Sequence, residues 1–168
     1  MKHAATLFLM AALAFTGLSA RAQSTQATAA DTDFVRKASS AGLTEIALGK
    51  LAASQASSGD VKKFAARMVA DHTKSNEDLG KLAGSKGIQL AVAPEPAQQQ
   101  LIDRLKNIEG AQFDREYADA MVRDHKLTSG LYELEATNGG DAEIRDFARR
   151  TMPMLKEHAD LADSLPPF

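Results

Sequence analysis

Apolar residues recur along this chain at spacings of three and four, the period of amphipathic helices, with no support for the two-residue alternation of a half-buried strand. The pattern predicts a first helix over about Asp33 to Ala56, with an inward stripe of Phe34, Ala38, Ala41, Glu45, Leu48, Ala52 and Gln55. A second, about Asp60 to Gly84, carries Val61, Ala65, Met68, His72, Ser75, Leu79 and Leu82. The third long helix, about Ala111 to Asn138, has Tyr117, Ala118, Met121, His125, Thr128 and Tyr132. The last, about Ala142 to Leu165, has Ile144, Ala148, Thr151, Leu155, His158, Ala162 and Leu165.

The breaks between these stripes set the topology. Ser57 and Ser58 can cap the second helix, with Asp60 placing negative charge in its first turn. Gly139-Gly140 stops the third, Asp141 can cap the last, and Pro166-Pro167 ends it. Residues 85 to 110 read differently, because Gly87, Pro94 and Pro96 interrupt them and only Leu101, Ile102, Leu105 and Ile108 suggest a short helix. Two short-turn hairpins joined by a crossover of that length make the second and third long helices parallel. The expectation is therefore an all-α, ferritin-like four-helix bundle, with a long crossover containing a short helix between the second and third long helices. Pro153 lies inside the last helix, where it removes one backbone hydrogen bond near the Arg149 carbonyl.

Composition narrows the chemistry. The 168 residues are 44% hydrophobic and 25% charged, with no cysteine, which suits one globular domain and excludes disulfides, thiolate metal sites, a cysteine nucleophile and a lipidated N-terminal Cys. A net charge of −2 offers no basic footprint for nucleic acid, so no nucleic-acid partner is expected. Met1-Lys2-His3, the apolar run Ala4 to Leu18 and Ala20-Arg21-Ala22 have the three parts of a secretory signal peptide. The apolar run is shorter than the roughly 20 residues of a spanning helix. Residues 1–22 are thus expected to be a signal peptide, 23–30 a flexible lead-in and 31–165 the folded domain, with no membrane span in the mature chain. Cleavage near Ala22 removes two basic residues and no acid, taking the net charge from −2 to −4.

One internal pattern carries most of the chemistry. Met68-Val69-Ala70-Asp71-His72 is echoed by Met121-Val122-Arg123-Asp124-His125 and by Met154-Leu155-Lys156-Glu157-His158. Met and His at i and i+4 share a helix face, whereas the acid beside each His points about 100° away. Glu45 occupies the corresponding stripe position in the first helix. Within each hairpin these residues fall within about one helical turn of the same height. Two readings stand side by side. Glu45, His72, His125 and His158 converge on a first-row metal such as zinc, iron or copper, with Asp71, Asp124, Met68, Met121 and Met154 as additional candidates. Alternatively they form a satisfied polar layer that sets helix register. There is no Glu-x-x-His pair of the di-iron kind, so a mononuclear site fits better than a dinuclear one. No phosphate loop, nucleophile elbow or Ser/His/Asp order is apparent, and no catalytic residue is assigned.

At these residues the chain resembles a known family. The segments Thr44–Ala52, Val61–His72, Phe113–Tyr117 and Met152–His158 are similar to those of domain-of-unknown-function family 4142, over about Asp33 to Leu165. The resemblance implies a secreted bacterial protein with a ferritin-like helical bundle, of a kind often labelled an outer-membrane protein, and supplies no established activity. With neither barrel strands nor a lipidation Cys, soluble periplasm is the expected location. The expected role is metal binding or an envelope or stress function; the alternative is a metal-free structural or protein-interaction bundle of the envelope. Gly42 and Gly49 allow either close helix approach or an oligomer contact, leaving open a homo-oligomer or an envelope protein partner.

Overall fold

The computed structural model describes residues 26–166, and the expected signal peptide lies outside them. Among the described residues the chain is all-α, with five helices and no strand: α1 Ala29–Gln55, α2 Gly59–Ser85, α3 Pro96–Leu105, α4 Gly110–Asn138 and α5 Ala142–Asp163. None is long and apolar enough to cross a membrane.

Local chemistry explains the helix ends. Ser58 caps α2, its hydroxyl accepting from the Asp60 and Val61 N–H groups, and Asp141 does the same for α5 through Glu143 and Ile144. Past α2, Gly87 takes a φ of 69°, and the Ile88 N–H reaches back to the Ala83 carbonyl at 2.9 Å. Only a residue without Cβ adopts that turn freely. Three boundaries differ from the sequence expectation. Helix α1 starts at Ala29, ahead of Asp33, because Thr28 and Asp31 form a reciprocal capping box. Helix α3 starts at Pro96, five residues before the first apolar position, since proline's fixed φ suits a first helical turn. Helix α5 ends at Asp163, short of Leu165; Pro153 sits within it without breaking it.

Two buried carboxylates set how the hairpins meet. At one end Asp114 of α4 accepts from the backbone N–H groups of Ser57 (3.1 Å) and Ser58 (2.9 Å) and from the Ser57 hydroxyl. At the other, Asp31 of α1 accepts from Gly140 (2.7 Å) and Asp141 (3.1 Å). Each acid thus satisfies donors in the turn of the opposite hairpin. Helices α1 and α4 therefore run antiparallel. Lys86, after α2, pairs with Asp141 at 2.9 Å and with Glu143 at 2.5 Å, bringing the end of α2 to the start of α5. Helices α2 and α4 consequently share a direction. The crossover lies along α1, where Ser40 accepts from the Glu95 N–H at 2.8 Å and the Gln55 amide donates to the Leu105, Lys106 and Ile108 carbonyls.

The core has two apolar halves. One joins Leu48, Phe64, Met68, Leu105, Phe113, Tyr117 and Met121; the other joins Phe34, Leu79, Tyr132, Ile144, Phe147 and Leu155. Each large side chain buried there contributes roughly 1.5–3 kcal/mol. Glu45, His72, His125 and His158, all buried, belong to neither half and fall between them in sequence along every long helix.

Gly42 and Gly49 mark where α1 and α2 touch. A Cβ on Gly49 would stand 2.6 Å from Val69 Cγ2 and 2.9 Å from the Ala65 carbonyl oxygen, and one on Gly42 would strike the Asn76 side chain. Of the two roles open to these glycines, close helix approach is the one observed. In Gly49→Ala the backbone of α2 must move, and overpacking of that kind costs about 1–3 kcal/mol, more than the helix-propensity gain of about 1 kcal/mol. Urea unfolding is expected to show net destabilisation for Gly49→Ala. Gly130→Ala, in α4 with nothing near its Cβ, should be stabilised by about 0.5–1 kcal/mol.

Candidate metal centre

The three histidines come from three helices, each one turn along from a buried or half-buried methionine. Their rings form a nearly equilateral triangle, with centroids 5.7 Å apart for His72 and His125, 5.3 Å for His72 and His158, and 5.4 Å for His125 and His158. One ring nitrogen from each lies within 4.8 Å of the other two.

Hydrogen bonding identifies the protonated nitrogen on two of the rings. His125 Nδ1 is 2.9 Å from the Met121 carbonyl oxygen, which can only accept, so Nδ1 carries the proton and Nε2 the lone pair. His158 Nε2 is 2.8 Å from Asp71 Oδ2. The hydrogen bonds from His158 and Arg67 outweigh burial and hold the Asp71 carboxyl below its ordinary pKa. As a carboxylate it accepts, leaving the His158 lone pair on Nδ1. Those two lone-pair nitrogens, together with His72 Nε2, are buried and have no hydrogen-bond partner among the described residues. An unsatisfied buried polar atom costs roughly 1–3 kcal/mol, so each of these nitrogens calls for a partner such as a water or a metal ion.

Burial sets the charge state. It pushes His72 down to about 3, helped by the neighbouring imidazoles of His125 and His158. Burial also lowers His125 and His158, against the opposing pull of the Met121 carbonyl on one and of Asp71 on the other. All three rings are neutral near pH 7, the form in which imidazole binds metal.

The acids divide into two roles. Asp71 and Glu157 both grip Arg67, at 3.2 and 2.7 Å, so an Arg67-centred ion pair orients the carboxylate that orients His158. Glu45 approaches the cluster at 3.9 Å, but from the protonated Nδ1 side of His125. It sits beside the three-nitrogen set rather than within it. Burial first, then the nearby charge of Asp124, raise Glu45 well above the usual carboxylate range. Glu45, Asp124, His72 and His125 share a cavity of about 10 Å³, room for one water-sized occupant. Met68 and Met121 pack in one apolar half and Met154 against the other, which is how a seam methionine fills core space. The Asp71–His158 bond between α2 and α5 could be read from the sequence only as a direction. An acid adjacent to an inward His points aside, toward a neighbouring helix whose identity awaits the fold.

Residues 16–165 match the family described as Domain of unknown function (DUF4142), and the chain belongs to that family. A solved structure titled as that of a DUF305 fragment from Deinococcus radiodurans is similar in fold, with a TM-score of 0.71 over 83% of this chain and 97% of that one at 15% identity. No curated protein matches.

The lowered imidazoles make stability depend on pH. Below about 6.5 the unfolded chain takes up protons that the folded chain refuses, so stability present above that pH is lost on acidification. With its folded value near 3, His72 alone should remove about 2 kcal/mol between pH 7 and pH 5. Glu45 acts with the opposite sign, its contribution being complete below its ordinary value and lost as the pH rises through its raised one. Urea unfolding of metal-free protein at pH 7 and pH 5 should show the acid loss in the wild type and a smaller one in His72→Leu. Equal losses in both would refute the neutral, buried assignment.

Proposed function

We propose that this chain is a metal-binding protein of the bacterial envelope. In this reading residues 1–22 are removed as a signal peptide, and 31–165 form a ferritin-like four-helix bundle in the periplasm whose crossover carries a short helix. His72, His125 and His158 would hold a single first-row transition ion, zinc, copper or iron, for which imidazole is a suitable donor. The observation that carries this reading is three buried histidines with one ring nitrogen each within 4.8 Å of the other two, each ring also having a buried nitrogen without a hydrogen-bond partner, and two of the rings fixed from behind by Met121 and Asp71. A ring nitrogen held by a carbonyl or carboxylate, with its other nitrogen free, is the usual support of a metal ligand. Glu45 and Asp124 stand nearby without completing the ligand set. A metal ion would give the three rings a common partner.

Three neutral ligands leave any further coordination position to water or a small ligand. We read the site as one for binding, storage or transfer of the ion. Mature protein prepared without an affinity His-tag or chelator, then reconstituted with zinc, copper or iron, is expected to retain one ion per chain by elemental analysis. His125→Leu and the triple change of His72, His125 and His158 to Ala should abolish retention while circular dichroism stays helical. Asp71→Asn should weaken binding about 10–100-fold without changing the stoichiometry. Wild-type protein that retains none of the three metals would overturn the proposal and favour a metal-free bundle engaged with an envelope protein.

A further inference from the structure

The three histidines are sealed: their relative exposures are 5% for His72, 1% for His125 and 0% for His158. An ion reaching them needs a path, and the surface offers several hollows. The largest, about 640 Å³, lies between α2 and α5, with Asp71, Ser75, Asp78, Glu143, Asp146 and Thr151 among its walls. Ser75 is also a wall of the inner cavity that contains Glu45, His72 and His125. It follows His72 by three residues, so the two side chains are neighbours on one helix face. Three other hollows, at Phe64 and Leu161, at Ile46 and Val92, and at Ala118 and Ala162, share no residue with the inner cavity.

We infer that the α2–α5 groove is the route by which the metal ion enters and leaves, with Ser75 as the partition between groove and site; this rests on the metal-binding reading above. Two features converge on it. The partition is a small half-buried hydroxyl side chain, while the apolar halves of the core stand above and below. Asp71 reaches from this same groove to the His158 ring at 2.8 Å, so one side chain is exposed to an arriving ion and bonded to a ligand. The groove also carries four carboxylates, Asp71, Asp78, Glu143 and Asp146, against Lys74 and Arg150. Each of the four is ion-paired, Asp71 with Arg67, Asp78 with Lys74 and Lys81, Glu143 with Lys86 and Asp146 with Arg149, so the walls are polar without a net field that would trap a cation. The ligand class is a hydrated divalent transition ion that sheds its waters as it passes Ser75.

The test follows Zn²⁺ uptake by the mature chain from a metallochromic indicator in a stopped-flow instrument, with equilibrium stoichiometry measured in parallel. Filling the partition with Ser75→Leu is expected to slow uptake at least about tenfold while one Zn²⁺ still binds at equilibrium. Thr151→Leu, on the α5 wall, should slow it in the same direction, and Ser164→Leu, in the hollow at Phe64 and Leu161, should load at the wild-type rate. Should Ser75→Leu lose the site itself, Thr151→Leu decides by its rate. Wild-type rates in the groove variants that bind one Zn²⁺ would overturn the route and leave the site standing. No Zn²⁺, copper or iron on the wild-type chain would overturn the site as well.

Discussion

Three neutral imidazoles meeting inside an apolar core are the constraint around which this protein is organised. A ring nitrogen removed from water must find a donor, an acceptor or a metal, and an imidazolium there would lack the hydration that keeps it charged. Two of the rings are satisfied on one side only, by the Met121 carbonyl and by Asp71, which leaves the other nitrogen of each without a partner among the described residues. The helices are held in the register that brings this about by contacts far from the rings. Asp114 and Asp31 each clamp the turn of the opposite hairpin, and Gly42 and Gly49 let α1 and α2 approach until side chain meets backbone. A shift of one residue along a helix, about 1.5 Å and 100°, would carry a ring out of the cluster.

The division of labour among the acids follows from the same geometry. Each acid preceding a histidine points sideways, so it serves another helix rather than its own neighbour. Asp71 supports His158, Glu157 holds Arg67, and Asp124 faces Glu45. None of the three acids joins the three-nitrogen set. The proposed ion would therefore be held by neutral ligands, with compensating negative charge one shell further out. That arrangement suits reversible binding.

Membership of the DUF4142 family and fold similarity to a DUF305 fragment describe what the chain is built like. The chemistry rests on the residues. At 15% identity a shared arrangement of helices carries no statement about ligands.

Much was legible in the order of residues. Periodicity at three and four located all four long helices, and Ser58 and Asp141 announced two of the starts, because these signals act within one or two turns of chain. The repeated Met-x-x-acid-His pattern singled out His72, His125 and His158, since a histidine on an otherwise apolar stripe must turn inward. Helix boundaries set by partners outside the apolar pattern were less legible, as with Thr28 and Asp31 ahead of α1 or Pro96 ahead of α3. What only the tertiary structure decided was how the two hairpins align. The crossover from Lys86 to Glu109 has no period that fixes its span, so the common height of the rings, the partner of Asp71 and the place of Glu45 outside the nitrogen triangle depend on long-range contacts. Local sequence determines which way a side chain leaves its helix. What it meets there is settled by the packing of four helices against one another.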